Sequence, residues 1–295
     1  MHFLVSIPLD KALADFVGKG TTEGSMMIGS RKVENDIITG LFPNLIAEKF
    51  YTSAETMLLG DQIILSTQSV DQLFGEVLIG ASLTGKKILF TKDNDISNLL
   101  GSLNIPSYEF AEKQNIISKI LAFKKTPSQE VRVDIDHAFP VKGIGTVILG
   151  IVTSGKVKVH DQLYHSSGKL VEVKSIQSQD IDIQEADSGT RVGLGLKGIE
   201  HTEIEKGDIL TKEKVEKRNS VSVKTKISEI SKEKPQSGSR YLLVSNFLHS
   251  NVLVETFEND ILKLRLEKSL ILQKNDSVFL LRTTPPRIFA SGIVL

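Results

Sequence analysis

The sequence predicts an α/β layer followed by two small antiparallel β-barrels. Three observations carry that prediction. Residues 1–125 alternate short apolar runs with stretches of helical spacing, and residues 130–213 alternate with period two around glycines. Residues 214–295 repeat the period-two pattern between Pro, Gly and Asn/Asp turns. These ranges are taken as three domains, with residues 124–129 (KKTPSQ) as the linker into the first barrel.

In the first domain, residues 2–7, 61–67 and 86–91 are strand-like, with 107–110 as a short fourth strand. Between them, 44–59, 70–83 and 96–103 have apolar residues at helical spacing, and 112–125 sets Ile116, Ile117, Ile120 and Leu121 on one face. Strands separated by helices predict a parallel sheet covered on both sides.

The second domain contains FPVKGIGTVILGIVTSGKVKV at 139–159. Val141, Gly143, Gly145, Val147 and Leu149 alternate, and Val157 and Val159 resume the alternation after a turn at Ser154-Gly155. Gly143 and Gly145 read as sites of a sharp bend or close backbone approach. The expected barrel core is Val141, Val147, Val157, Val159, Leu163 and Val173. In the third domain, strands are expected at 221–230, 241–244, 252–256, 260–266, 270–272, 278–282 and 288–294.

The order of residues in the second domain adds a family resemblance. Asp136, Phe139, Val141, Gly143, Gly145, Thr146, Val147, Gly150, Val152, Gly155, Val157, Lys158, Val159 and Asp161 follow the pattern of the second domain of translational GTPases, the elongation factor Tu family. The match continues through Val173–Ile176 and closes on Ala186, Gly189, Arg191, Val192, Gly193, Leu194, Leu196, Gly198, Ile199, Glu203, Ile204, Lys206, Gly207 and Asp208. The run from Arg191 to Leu194 resembles the selenocysteine-specific elongation factor branch. The close of the chain, VFLLRTTPPRIFASGIVL, resembles an elongation-factor third domain.

That resemblance implies a nucleotide-binding first domain, yet its three motifs are degraded. The loop after the first strand reads PLDKALADF, which has no glycine to present backbone N–H groups to phosphates; Gly18-Lys19 follows too late, with Leu13 where the first glycine should be and Gly20 where Ser or Thr belongs. The D-x-x-G position reads Gly40-Leu41-Phe42-Pro43-Asn44, with the metal-holding Asp, the phosphate-sensing Gly and the water-positioning His gone. The guanine-reading motif reads Thr91-Lys92-Asp93-Asn94, with neutral Asn where a carboxylate accepts from the base and Asp95 beside it. The first domain is therefore expected to be a degenerate GTPase-like shell, as in archaeal selenocysteine-elongation-factor-like proteins that lack GTPase motifs. The selenocysteine factor's fourth domain has no expected counterpart in these residues.

Zero cysteines exclude disulfides, thiolate metal sites and cysteine nucleophiles, and the six histidines (2, 137, 160, 165, 201, 249) show no H-x-x-x-H spacing. No apolar run has the length of a membrane span, and MHFLVSIPLD lacks the basic region of a signal peptide. A cytoplasmic protein is expected. The net charge of zero hides an asymmetry: residues 214–295 carry 14 Lys and Arg against 8 Asp and Glu. Much of the excess lies in 214–240.

The expected function is that of a non-catalytic, elongation-factor-like protein that binds tRNA or another structured RNA through its barrels, with the ribosome as a further candidate partner and no cofactor. Phosphate recognition is assigned to Lys224, Lys226, Lys232, Lys234 and Arg240, extended by Arg282 and Arg287. The resemblance assigns the aminoacyl end to Asp136, His137 and Phe139, with Arg191 in the loop nearest that pocket; Phe139 also reads as a core residue. Two alternatives stand beside this reading: a divergent GTP-binding translation factor, and a scaffold that binds proteins through its barrels.

Overall fold

A computed structural model describes the whole chain apart from residues 22–24, 47, 104, 106, 126, 127, 232 and 233. The first domain contains β1 (His2–Ser6), α1 (Lys11–Val17), β2 (Lys19–Thr21), β3 (Met26–Val33), β4 (Asp36–Pro43), α2 (Tyr51–Leu59), β5 (Gln62–Leu65), α3 (Gln72–Thr84), β6 (Lys87–Thr91), α4 (Ser97–Leu100), β7 (Tyr108–Ala111) and α5 (Ile116–Leu121). The sheet runs β2-β3-β4-β1-β5-β6-β7. The four expected strands pair in parallel in the order β1, β5, β6, β7. Three unexpected strands, β2 to β4, extend the sheet beyond β1. The expected helix over 44–59 begins only at Tyr51, and those over 96–103 and 112–125 shrink to single turns or little more. Helix α3 holds its expected place because Asp71 caps it, accepting from Phe74 N at 2.9 Å, and Gly85 ends it with φ 71°.

The barrel of the second domain, termed the second barrel after its domain, contains β8 (Arg132–Val141), β9 (Gly145–Ser154), β10 (Lys156–Lys158), β11 (Gln162–His165), β12 (Leu170–Ser178), β13 (Ile181–Ile183), β14 (Glu185–Asp187), β15 (Arg191–Lys197) and β16 (Ile209–Thr211). Strands β11-β16-β8-β9-β15-β12 close on themselves through the β11–β12 pairing. Its core differs from the expected one by a single register step on β9. Ile148 is fully buried, whereas Val147 and Leu149 are half-buried, as are Val141 and Val159. Val157, Leu163 and Val173 lie in the core as expected. Gly143 and Gly145 adopt φ of 85° and 99° with open space where a Cβ would stand, so backbone conformation and not close approach favours glycine there. Close approach operates at Gly155, where a Cβ would come within 2.5 Å of Glu130 O.

The barrel of the third domain, termed the third barrel likewise, contains β17 (Lys217–Ile227), β18 (Arg240–Ser245), β19 (Leu248–Glu258), β20 (Ile261–Ile271), β21 (Ser277–Leu281) and β22 (Ile288–Val294), closed in the order β17-β20-β19-β18-β21-β22. The two runs expected at 260–266 and 270–272 form one strand, β20. Alternation is strict over residues 261–267: Leu262, Leu264 and Leu266 are buried, and Ile261, Lys263, Arg265 and Glu267 are exposed.

The chain divides into two compact units that are discontinuous in sequence. One comprises Met1–Leu4, Ser30–Thr39 and Lys124–Lys217; the other comprises Val5–Gly29, Gly40–Phe123 and Arg218–Leu295. Within the first, Thr39 Oγ1 donates to Gly189 O at 3.1 Å, and Thr190 Oγ1 lies 2.9 Å from His2 Nδ1. Within the second, α2, α3, β5 and β6 share an apolar core with Val244, Phe279, Leu281 and Ile288 of the third barrel. Among the described residues no helix is long and apolar enough to cross a membrane.

Candidate nucleic-acid interface

At the three positions where the resemblance places nucleotide motifs, described residues make local hydrogen bonds of their own. After β1, the short segment into α1 ends at Asp10, whose carboxylate accepts from Leu13 N at 2.8 Å. A negative side chain thus occupies the helix end at which phosphates are bound by backbone N–H groups. Strand β4 runs to Pro43 and turns away with Asn44 N donating to Ser25 O at 2.9 Å. The ends of β5 and β6 are knotted together. Thr67 Oγ1 accepts from Asp93 N and Asn94 N at 3.0 and 3.1 Å, and Asn94 Nδ2 donates to Thr67 O and Gln68 O at 2.7 and 3.0 Å. Asp95 accepts from Ser97 N at 2.9 Å and from its hydroxyl, which hold its carboxyl below the usual range. Among the described residues no group of three or more His, Asp and Glu is placed to hold a metal.

The second barrel brings some of the expected end-binding residues together and separates others. Asp136 occupies a bulge in β8, between Ile135 opposite Gly150 and His137 opposite Leu149. A bulge re-aims its side chain, and here the carboxylate meets Arg191, with Nη2 donating to Oδ2 at 2.7 Å. Both groups are half-buried. The rings of exposed His137 and half-buried Phe139 lie 5.8 Å apart further along β8. Arg191 opens β15, while an open cleft of about 440 Å³ lies by its far end. Ile144, Leu196 and Ile199 give the cleft an apolar wall, and Lys169, Lys174 and Lys197 give it a cationic rim. Lys174 Nζ donates to Ile144 O at 3.1 Å, and Lys197 Nζ stands 3.7 Å from Glu172. Glu203, also at the rim, is held below the usual carboxyl range by its bond from Lys169 and by Glu200 N.

On the third barrel, Lys224 and Lys226 project from β17 and are exposed, as is Lys234. Lys232 lies outside the described residues. Arg240 is exposed but pairs with Glu267. Arg282 is half-buried, its Nε donating to Pro286 O at 2.9 Å. Arg287, expected to extend the cationic band, is turned inward: its guanidinium donates to both oxygens of buried Glu76 at 2.9 and 3.0 Å and stacks 3.8 Å from the Phe50 ring centre. That correction has a physical cause, since a carboxylate buried on α3 requires a cation and the β21–β22 turn supplies one.

Residues 145–211 match the family model of elongation factor Tu domain 2. The second barrel is similar to that domain. An uncharacterised protein of Methanocaldococcus jannaschii is 31% identical over 191 residues, covering 63% of this chain and 62% of that protein. The selenocysteine-specific elongation factor of the same organism is 34% identical over 161 residues, 53% of this chain and 32% of the factor. The chain therefore spans less than two thirds of either curated relative. The crystal structure of translation elongation factor SelB from Methanococcus maripaludis, in complex with a GTP analogue, shares the fold with a TM-score of 0.81 at 22% identity, over 99% of this chain and 78% of that one. The chain is thus similar to translation elongation factors, the selenocysteine-specific factor among them.

In this elongation-factor-like frame, two groups of cations escape sequence reasoning. Lys263 and Arg265 are exposed on β20, the neighbour of β17 in the barrel, so they continue the surface of Lys224 and Lys226. Lys263 stands 3.8 Å from Glu255, while Lys224, Lys226, Lys234 and Arg265 make no ion pair among the described residues. Their signal was present in DILKLRL, whose polar alternates define an outer face as surely as its leucines define an inner one. Lys169, Lys174 and Lys197 are scattered along the chain, and only closure of the barrel gathers them.

Proposed function

We propose that the chain is a non-catalytic translation-factor relative that binds tRNA or another structured RNA through its two barrels, without a bound nucleotide. The observation that carries this reading is the cationic outer face of two adjacent strands, with Lys224 and Lys226 on β17 and Lys263 and Arg265 on β20. Cations held on a rigid sheet and largely free of ion pairs suit phosphates, whose condensed counterions are released when protein cations neutralise them. Strands β17 and β20 themselves carry no aromatic residue, which favours a helical backbone over stacked single strands. The lysine-rimmed cleft of the second barrel suits the end of such an RNA, its apolar wall taking a base or ribose and its lysines the phosphates.

The degraded sequence at the three nucleotide motifs supports the non-catalytic part. Phosphoryl transfer depends on groups that neutralise charge on the phosphate, and Asp10 adds negative charge where they would stand. A cytoplasmic location suits this role. The reading is tested by nitrocellulose-filter binding of the full chain to mixed tRNA in nucleotide-free buffer. Saturable binding supports it; no retention of tRNA or ribosomal RNA at low salt would turn the assignment toward a protein-binding scaffold.

A further inference from the structure

The second unit contains a contact whose chemistry goes beyond RNA binding. Glu76, buried on α3, receives three hydrogen bonds from Arg287: from the backbone N and Nε to Oε2, each at 2.9 Å, and from Nη2 to Oε1 at 3.0 Å. The guanidinium carbon lies over the Phe50 ring, 3.8 Å from its centre. A bidentate pair with its cation stacked on a ring has one geometry, and breaking it strands a buried charge. Around it, Ser291 Oγ donates to Leu83 O at 2.9 Å, and a Cβ on Gly80 would come within 2.7 Å of Ile288 Cδ1. His249 of β19 lies over Tyr51 at 4.3 Å and 3.6 Å from buried Glu55 of α2. Helix α2 is buried all round: Thr52, Ser53, Glu55 and Thr56 are as enclosed as Ala54 and Met57. A helix so enclosed has no free face on which to slide.

We propose that Glu76, Arg287 and Phe50 form a clamp that holds the third barrel permanently against α2 and α3, making them one conformational unit of a single geometry that nucleotides do not alter. The clamp fixes how the barrel is presented, whatever ligand the barrel takes.

The test is hydrogen exchange followed by mass spectrometry on the full chain in increasing denaturant. Amides of α3 and β22 are expected to lose protection at one denaturant concentration, with no change on adding millimolar Mg-GTP. Glu76→Gln is expected to speed exchange in both segments at least tenfold while leaving β9 and β15 unchanged, and Arg287→Lys to act in the same direction. Separate midpoints for α3 and β22 in the unaltered chain would overturn the proposal. So would a Mg-GTP effect on either segment, or a Glu76→Gln protein with unchanged exchange. If the variants do not fold, the coincidence of midpoints and the nucleotide arm decide it.

Discussion

Arg191 and Lys197 occupy opposite ends of strand β15, about 20 Å apart for six residues at the usual strand rise. Only Lys197 borders the cleft. The sequence places the end-binding role near Arg191, whereas the cleft lies at the other end of the strand. Replacing Lys174 and Lys197 by Ala is expected to weaken binding of 3′-intact tRNA several-fold relative to tRNA with its 3′ end removed. Arg191→Ala, which leaves Asp136 without its guanidinium, is expected to lower stability by about 1 kcal/mol with less effect on that ratio. Competition binding with the two tRNA forms, set beside thermal melting, separates these outcomes; a larger end-selective loss in Arg191→Ala would return the end-binding role to Arg191.

Guanine nucleotides are expected not to bind in the micromolar range, and neither GTP nor ATP to be hydrolysed above buffer. The phosphate end of α1 is capped by Asp10, and Asn94 is committed to Thr67 and Gln68. Titration calorimetry of GDP with Mg²⁺ is the measurement. A tight, Mg²⁺-dependent heat would establish a divergent nucleotide site.

The second barrel offers a test of register. Ile148→Asp buries an unpaired carboxylate and is expected to cost several kcal/mol, on the order of the largest single-site losses. Val147→Asp, on the half-exposed face, is expected to cost much less. Chemical denaturation of the two variants reads the difference, and equal losses would refute the register described for β9.

That register marks the limit of what the sequence discloses. Val147, Ile148, Leu149, Ile151 and Val152 are all apolar, so period two names both faces of β9 and does not choose between them. On β20, where apolar and charged residues alternate strictly, the inner face is legible at once. Helix α2 lacks an amphipathic stripe because it is enclosed on all sides, so its start at Tyr51 is hidden. Strands β3 and β4 carry Gly29, Arg31, Lys32 and Gly40, residues that suit a strand poorly by composition and reveal themselves only by pairing. The turn of Arg287 toward Glu76 joins residues 211 positions apart and has no local signature.

Acid sensitivity is expected in the first unit. Burial lowers the pKa of His2 from 6.5, so the folded chain resists a proton that the unfolded chain accepts. The stability tied to this group is complete above about 6.5 and is lost as pH falls from there through the lower, folded value. His2→Gln is expected to flatten the stability–pH curve in that window. Denaturant midpoints measured between pH 5 and 8 check this, and a variant curve parallel to that of the unaltered chain would exclude His2 as the source.

RNA affinity as a function of salt is the most direct test of the central claim. Lys224→Ala, Lys226→Ala and Arg265→Ala together are expected to weaken all tRNAs alike, because phosphate contacts carry little sequence information. The slope of log affinity against log salt should become shallower by about 2 to 3 for the three contacts removed. A slope unchanged from that of the original chain would mean that this face of β17 and β20 is merely solvated, contradicting the account.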